Sequence, residues 1–247
     1  MYRYCFKVSY DGTNYYGFQI QDALPTIELE IKKAFKKLLN VDVKLYAAGR
    51  TDRFVHAVGQ VFHIDLETNM PEDGLKKGLN SFLPEDIHIL KCKKVDENFH
   101  ARFSAVLKEY HYYINTKVYN PITCHHLPFI PNLNKEEMEK GSKYLLGTHD
   151  FKAYASAQID PRKSTIKTIK KIELIAHENY LEFIFIGDGF LKYQIRRMMG
   201  MLIEVGKGHI SKDYIKVLLE SKDPARSKYI ADGCGLYLFK VYYEVPL

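Results

Sequence analysis

The sequence predicts an α+β chain built on largely antiparallel sheet. Strand-like stretches recur at 4–10, 43–48, 58–65, 87–95, 109–116, 169–176, 181–186 and 236–243. Three helical stretches fall among them without a regular strand–helix–strand beat. The chain has 247 residues, 46% of them hydrophobic, enough for one large domain or two small ones.

The opening strand alternates in polarity and lacks the apolar core of a signal peptide. Next, Ile27, Ile31, Ala34, Phe35, Leu38 and Leu39 fall at helical spacing, with Lys and Glu opposite and Thr26 placed as the N-cap after Pro25. Strands at 43–48 and 58–65 then flank a short loop. After the strands at 87–95 and 109–116 comes a proline-bearing interval, 119–134, with Pro121, Pro128 and Pro131. It is expected to connect an N-terminal half, 1–118, to a C-terminal half, 135–247. Asn134 opens a second helix with Glu137 at the third helical position of a capping box, and this helix stops near Gly147. A third helix is expected from about Phe190 to Val205.

The formal charge of +6 and a pI near 8.9 favour an acidic partner. The basic residues are interleaved with 19 Tyr and 14 Phe, which suits RNA: cations attract phosphate and aromatic faces stack on unpaired bases. Lysine clusters such as Lys32-Lys33, Lys36-Lys37 and Lys76-Lys77 also fit the solvated faces of helices. No apolar run reaches transmembrane length, so a cytoplasmic location is expected. The four cysteines are scattered without a CxxC pair, which suits reduced thiols. Cys124-His125-His126 lacks a second ligand cluster, so no metal is expected. The glycine pattern Gly187-Asp188-Gly189 is too short for a dinucleotide fingerprint, and no cofactor is indicated.

The best candidate for a reactive site is Gly49-Arg50-Thr51-Asp52-Arg53, one carboxylate among two guanidiniums on the loop between strands. A neighbouring arginine would keep Asp52 ionised and aimed through charge-assisted hydrogen bonds. An Arg–Asp pair that merely closes a hairpin would read the same way in this window.

An ordered set of motifs resolves the ambiguity. Tyr10-Asp11-Gly12-Thr13 and Tyr16-Gly17-Phe18-Gln19 precede Gly49-Arg50-Thr51-Asp52 and Val55-His56-Ala57. Then come Leu79-Asn80, Leu83-Pro84-Glu85-Asp86-Ile87, Phe99-His100-Ala101-Arg102, Lys108-Glu109-Tyr110-His111-Tyr112 and the run from Phe190 through Arg196 to Gly200. In this order the chain resembles the TruA family of tRNA pseudouridine synthases, from Tyr10 to Gly235-Leu236-Tyr237.

The resemblance implies a pseudouridine synthase fold with two similar α/β halves and a cleft between them. It implies a homodimer acting on uridines 38–40 of the tRNA anticodon stem-loop, without cofactor or metal. Asp52 would be the catalytic aspartate, acting as nucleophile or as base. Tyr110 would pack against the target uracil, Arg196 would orient Asp52, and Arg50 would enter the base stack in place of the flipped nucleotide. One carboxylate suffices because the base leaves and returns within the site, so no water need be activated. A sugar hydrolase would need a second carboxylate, for which Asp11 is the nearest candidate.

The chain also departs from the family pattern. Arg53-Phe54 stands where a small residue and glycine are usual. Phe18 replaces a tryptophan, and Ala155 and Lys167 replace arginines. If position 54 needs positive φ, Phe54 is strained by about 1–2 kcal/mol. These departures raise two alternatives: a divergent paralogue with another RNA target, or an RNA-binding or tRNA-folding protein with weak catalysis.

Overall fold

The computed structural model describes residues 1–159, 162 and 164–244. The chain divides into two compact units, one of Met1–Val106 with Tyr237–Leu247 and one of Leu107–Leu236. The proline-bearing interval 119–134 lies within the second.

In the first unit, β1 (Tyr2–Tyr10) pairs antiparallel with both β3 (His56–Leu66) and β4 (Ile87–Val95), and the two-residue β2 (Tyr46–Ala47) pairs with β3. The last strand, β9 (Leu236–Tyr243), joins β3 in parallel, with His56 opposite Tyr237. Helix α1 (Ile27–Leu39) forms where the spacing predicts, and Thr26 accepts a hydrogen bond from the Leu29 N–H at 3.4 Å. Its apolar stripe seats Phe35 edge-on to Phe6, whose ring stacks on Phe62 at 4.9 Å. All three rings are fully buried, each stabilising the unit by roughly 1.5–3 kcal/mol. Helix α2 (Glu72–Asn80) lies beside α1. A Cβ at Gly78 would sit 2.7 Å from the end of the Leu38 side chain, so glycine there gives Leu38 room between the two helices.

The second unit is an antiparallel sheet in the order β5 (Ala105–Asn115), β8 (Tyr180–Gly187), β7 (Ile166–Ala176), β6 (Gly147–Asp150). Tyr110, Tyr112 and Ile114 face Phe185, Phe183 and Leu181 across β5 and β8, and these side chains form one buried face. Glu109, His111 and Tyr113 take the other face by alternation. Helices α3 (Lys135–Ser142), α4 (Gln194–Gly206) and α5 (Asp213–Ser221) pack through buried Met138, Met198, Leu202, Ile215 and Leu218. The Asn134 side chain accepts from the Glu137 N–H at 3.0 Å, as the capping box requires. Helix α4 begins at Gln194 and not near 190, because Tyr193 adopts a left-handed conformation at φ +66°. The α+β class and its largely antiparallel sheet are as expected. No helix among the described residues is long and apolar enough to cross a membrane.

Candidate active site

In the first unit, the loop between β2 and β3 carries Asp52, and neighbouring segments pin it on the N-terminal side of that residue. The Gln60 side chain donates to the Gly49 carbonyl at 2.8 Å. The Thr51 hydroxyl pairs with the buried Tyr10 hydroxyl at 2.8 Å, and the Thr51 carbonyl accepts from the Phe18 N–H at 3.1 Å. The Gly12 N–H donates to Nδ1 of His56 at 3.0 Å, and the His56 ring stacks on Tyr237 at 4.6 Å. Burial pushes the Tyr10 hydroxyl pKa well up, so it stays protonated.

Two glycines let the 10–18 segment come this close. A Cβ at Gly12 would lie 2.2 Å from the Val55 carbonyl oxygen. One at Gly17, where φ is +95°, would lie 2.6 Å from the Thr51 oxygen. Phe18, where the family pattern has tryptophan, is a core side chain tilted against Tyr10.

Asp52 is half-buried at the first position of a tight turn, with its carbonyl accepting from the Val55 N–H at 3.2 Å. Phe54 occupies the third position of that turn at φ +65°. A turn with positive φ at its third residue prefers glycine there, so the strain expected at Phe54 is present. Among the described residues Arg50 and Arg53, the sequence neighbours of Asp52, form no ion pair, although Asp52 itself is not without partners. Arg50 is exposed. Arg53 lies against aromatic rings instead, its guanidinium carbon 4.1 Å from the Tyr16 centroid and 4.3 Å from that of Phe54. Arg53 thus adjoins Asp52 in sequence while its cation–π contacts are with Tyr16 and Phe54.

Asp11, the candidate second carboxylate, accepts from the Thr13 N–H at 2.9 Å and the Thr13 hydroxyl at 2.6 Å. It builds the turn that supports the Asp52 loop.

In the second unit, Tyr110 is 8% exposed at the margin of the buried face and meets Phe190 edge-on at 5.3 Å. Tyr112, two residues on, is fully buried and donates to the Asp232 carbonyl at 3.0 Å, a structural role. Arg196 projects from the first turn of α4. Its Nε donates to the Ala231 carbonyl at 2.8 Å, and the Ala231 N–H returns a bond to the Arg196 carbonyl at 2.9 Å. This reciprocal pair fixes the guanidinium stem. It depends on Gly200, where a Cβ would lie 2.7 Å from the Tyr229 carbonyl carbon. Of the positions that depart from the family pattern, Ala155 is buried, and Lys167 lies opposite His149 on β7.

Sequence reading missed the Tyr16–Arg53–Phe54 stack and the close approach at Gly12 and Gly17. The available signal was the pair of glycines inside Asp11-Gly12-Thr13 and Tyr16-Gly17-Phe18.

The family model described as tRNA pseudouridine synthase matches residues 7–104 and 142–244, taking in most of both units. Among similar proteins, tRNA pseudouridine synthase A of Thermoanaerobacter sp. (strain X514) is 40% identical over 240 residues, covering 96% of this chain and 97% of that one. Its namesake in Geobacillus sp. (strain WCH70) is 39% identical over 242 residues, with 96% of each chain covered. That of Bacillus subtilis (strain 168) is 36% identical over 241 residues, with 96% and 97% covered. A match that takes in most of both units and includes Asp52, with relatives aligned nearly end to end, shows that the chain belongs to the tRNA pseudouridine synthase family.

Proposed function

We propose that this protein isomerises uridine to pseudouridine in tRNA, at positions 38–40 of the anticodon stem-loop, with Asp52 as the catalytic carboxylate. The observation that carries the reading is the Asp52 loop itself, which lies inside the family match. The loop that carries its half-buried carboxylate is held at Gly49 by Gln60 of β3 and at Thr51 by Tyr10, and His56 just beyond it is held by Gly12. Such preorganisation suits a group that must meet a reacting atom without rearranging.

The chemistry is redox-neutral. The bond from ribose to N1 of uracil breaks, the base turns, a bond to C5 forms, and the proton lost from C5 is balanced by one gained at N1. Asp52 serves either by attacking sugar or base or by drawing a ribose proton. The target base must leave the stack, at a cost of a few kcal/mol. Tyr110 offers a ring that recovers about 1–3 kcal/mol by stacking on it. Arg196, with its stem fixed on Ala231, takes the role of orienting the carboxylate, and exposed Arg50 that of filling the vacated place in the helix. The working form is a cytoplasmic homodimer that needs no cofactor.

The test is to incubate the protein and its Asp52→Asn variant with unmodified tRNA transcripts and map pseudouridine at single-nucleotide resolution. Conversion at 38–40 by the parent protein alone is the expected result. Conversion at other positions would move the substrate while keeping the chemistry. Binding by both without any conversion would overturn the assignment in favour of an RNA-binding or tRNA-folding protein.

A further inference from the structure

We propose that Arg53 is a phosphate-binding residue for the RNA substrate, positioned by Tyr16 and Phe54. The inference rests on the reading of tRNA as substrate and of Asp52 as the reacting group.

Arg53 is exposed and directly follows Asp52. Its guanidinium lies within stacking distance of two rings, at 4.1 Å from Tyr16 and 4.3 Å from Phe54. Both rings are thus within cation–π range of the same guanidinium. Tyr16 is itself tied down, its N–H donating to the Pro25 carbonyl at 2.9 Å. Phe54 reaches its place only by adopting φ +65°. A strained backbone persists where its surroundings over-determine it, and such strain gathers at functional sites.

The arrangement narrows what Arg53 can bind. Two rings already lie against the guanidinium, which leaves its N–H groups as the means of binding a further partner. Among the described residues its side chain has no hydrogen bond or ion pair, so those groups are unspent. A planar fork of N–H donors in fixed orientation matches a phosphate bidentately. Beside a carboxylate that receives an extruded uridine, the anion within reach is a backbone phosphate of the strand flanking that uridine. Phosphate contacts fix register on the RNA without reading sequence. Arg53 therefore sets where the strand lies relative to Asp52.

The experiment measures tRNA binding as a function of salt for the parent protein, Arg53→Ala, Arg53→Lys and Tyr16→Leu, with circular dichroism confirming folding. The expected results are about tenfold weaker binding for Arg53→Ala and a log–log salt slope shallower by about one. Arg53→Lys keeps the slope with part of the affinity lost. Tyr16→Leu, which leaves the charge but loosens the clamp, weakens binding with the slope intact. A second arm replaces single phosphates around the target uridine with neutral methylphosphonates. At one position the parent protein should lose about as much affinity as Arg53→Ala does, and Arg53→Ala should lose nothing more. If Arg53→Ala does not fold, Arg53→Gln enters the same series.

An unchanged slope, or a loss confined to substrates with guanine at one position, overturns the assignment, the latter in favour of base-edge contact. Salt-dependent binding through Arg53 without any conversion of uridine would sink the catalytic reading and leave this one standing. Conversion with Arg53-independent binding would do the reverse.

Discussion

Two aromatic residues stand at positive φ beside candidate functional groups. Phe54, at +65°, follows Asp52, and Tyr193, at +66°, precedes Arg196. Their surroundings hold them by different means. The Asp52 loop is fixed by directional bonds from Tyr10, Gly12, Phe18 and Gln60, with two glycines allowing the approach. Arg196 is carried by a thirteen-residue helix whose Ile195, Met198, Met199 and Leu202 are buried, and one reciprocal pair of bonds to Ala231 sets its side chain. A loop held by hydrogen bonds keeps its carboxylate half-open to substrate. A helix held by apolar packing supplies an anchored cation whose backbone need not be exposed at all. The polar loop should therefore be sensitive to changes in shape, and the helix to changes in packing.

The largest effect separates the two regions by chemistry. Asp52→Asn should lower the rate of conversion at saturating tRNA by about 10³-fold or more, while tRNA affinity changes only a few-fold. Arg196→Lys keeps a charge but loses the Nε bond to Ala231, and should cost about 10–100-fold in rate. Single-turnover kinetics with saturating enzyme measure both. If Arg196→Lys proved as damaging as Asp52→Asn, the division into a reacting loop and an orienting helix would fail.

Next come the glycines. Gly17→Ala places a methyl 2.6 Å from the Thr51 oxygen at φ +95°, and Gly200→Ala places one 2.7 Å from the Tyr229 carbonyl carbon. Each should destabilise its unit by about 2–3 kcal/mol, read by urea denaturation. The residual activity of the folded fraction should distinguish them. Gly17→Ala displaces the backbone adjoining Asp52 and should lower kcat, whereas Gly200→Ala moves a helix and acts mainly through stability.

A third expectation concerns pH and only the first unit. His63 is buried and neutral, its Nδ1 accepting from the Ala101 N–H at 3.1 Å, and burial pulls its pKa down to about 4. An unfolded histidine titrates near 6.5, so between that pH and about 4 the unfolded chain binds the extra proton. The stabilisation is complete above pH 6.5 and is lost as pH falls toward 4. After solvent screening it amounts to about 1–2 kcal/mol. His63→Gln, which can still accept from Ala101, should flatten the fall in melting temperature across that window. An equally steep fall in the variant would assign the acid sensitivity elsewhere.

Much of this was legible in the chain. The Thr26 and Asn134 caps announced α1 and α3, and the strand expected at 109–116 is most of β5. Helices α2 and α5 were not anticipated. Both have nine residues and lack a side-chain cap at Pro71 or Lys212, and α2 buries only Leu75 and Leu79, too few to display a period. At the site, Asp52 was legible because the order of motifs along the chain carried it. The surroundings of Arg53 were not. Adjacency to Asp52 suggested ion pairing, but the turn at Phe54 directs Arg53 toward Tyr16, a residue that only the tertiary fold brings near.

The smallest effect tests the strain at Phe54 itself. Substitution to glycine and to alanine both remove the ring that lies on Arg53, so both forfeit the same cation–π contact. They differ in the backbone alone. Alanine retains a Cβ at φ +65° and with it the left-handed penalty, whereas glycine adopts that conformation freely. Glycine also adds disorder to the unfolded chain, which offsets part of the relief. Phe54→Gly should therefore be more stable than Phe54→Ala by about 1 kcal/mol, a melting-temperature difference of about 2–4 °C in a chain of this size. Tyr193→Gly against Tyr193→Ala makes the same comparison at the start of α4. There glycine also frees the first turn of a helix, so the gain should be smaller. Equal stabilities for Phe54→Gly and Phe54→Ala would mean that the turn relaxes once the ring is gone. The positive φ would then be imposed by the stack with Arg53 and not by the loop around Asp52.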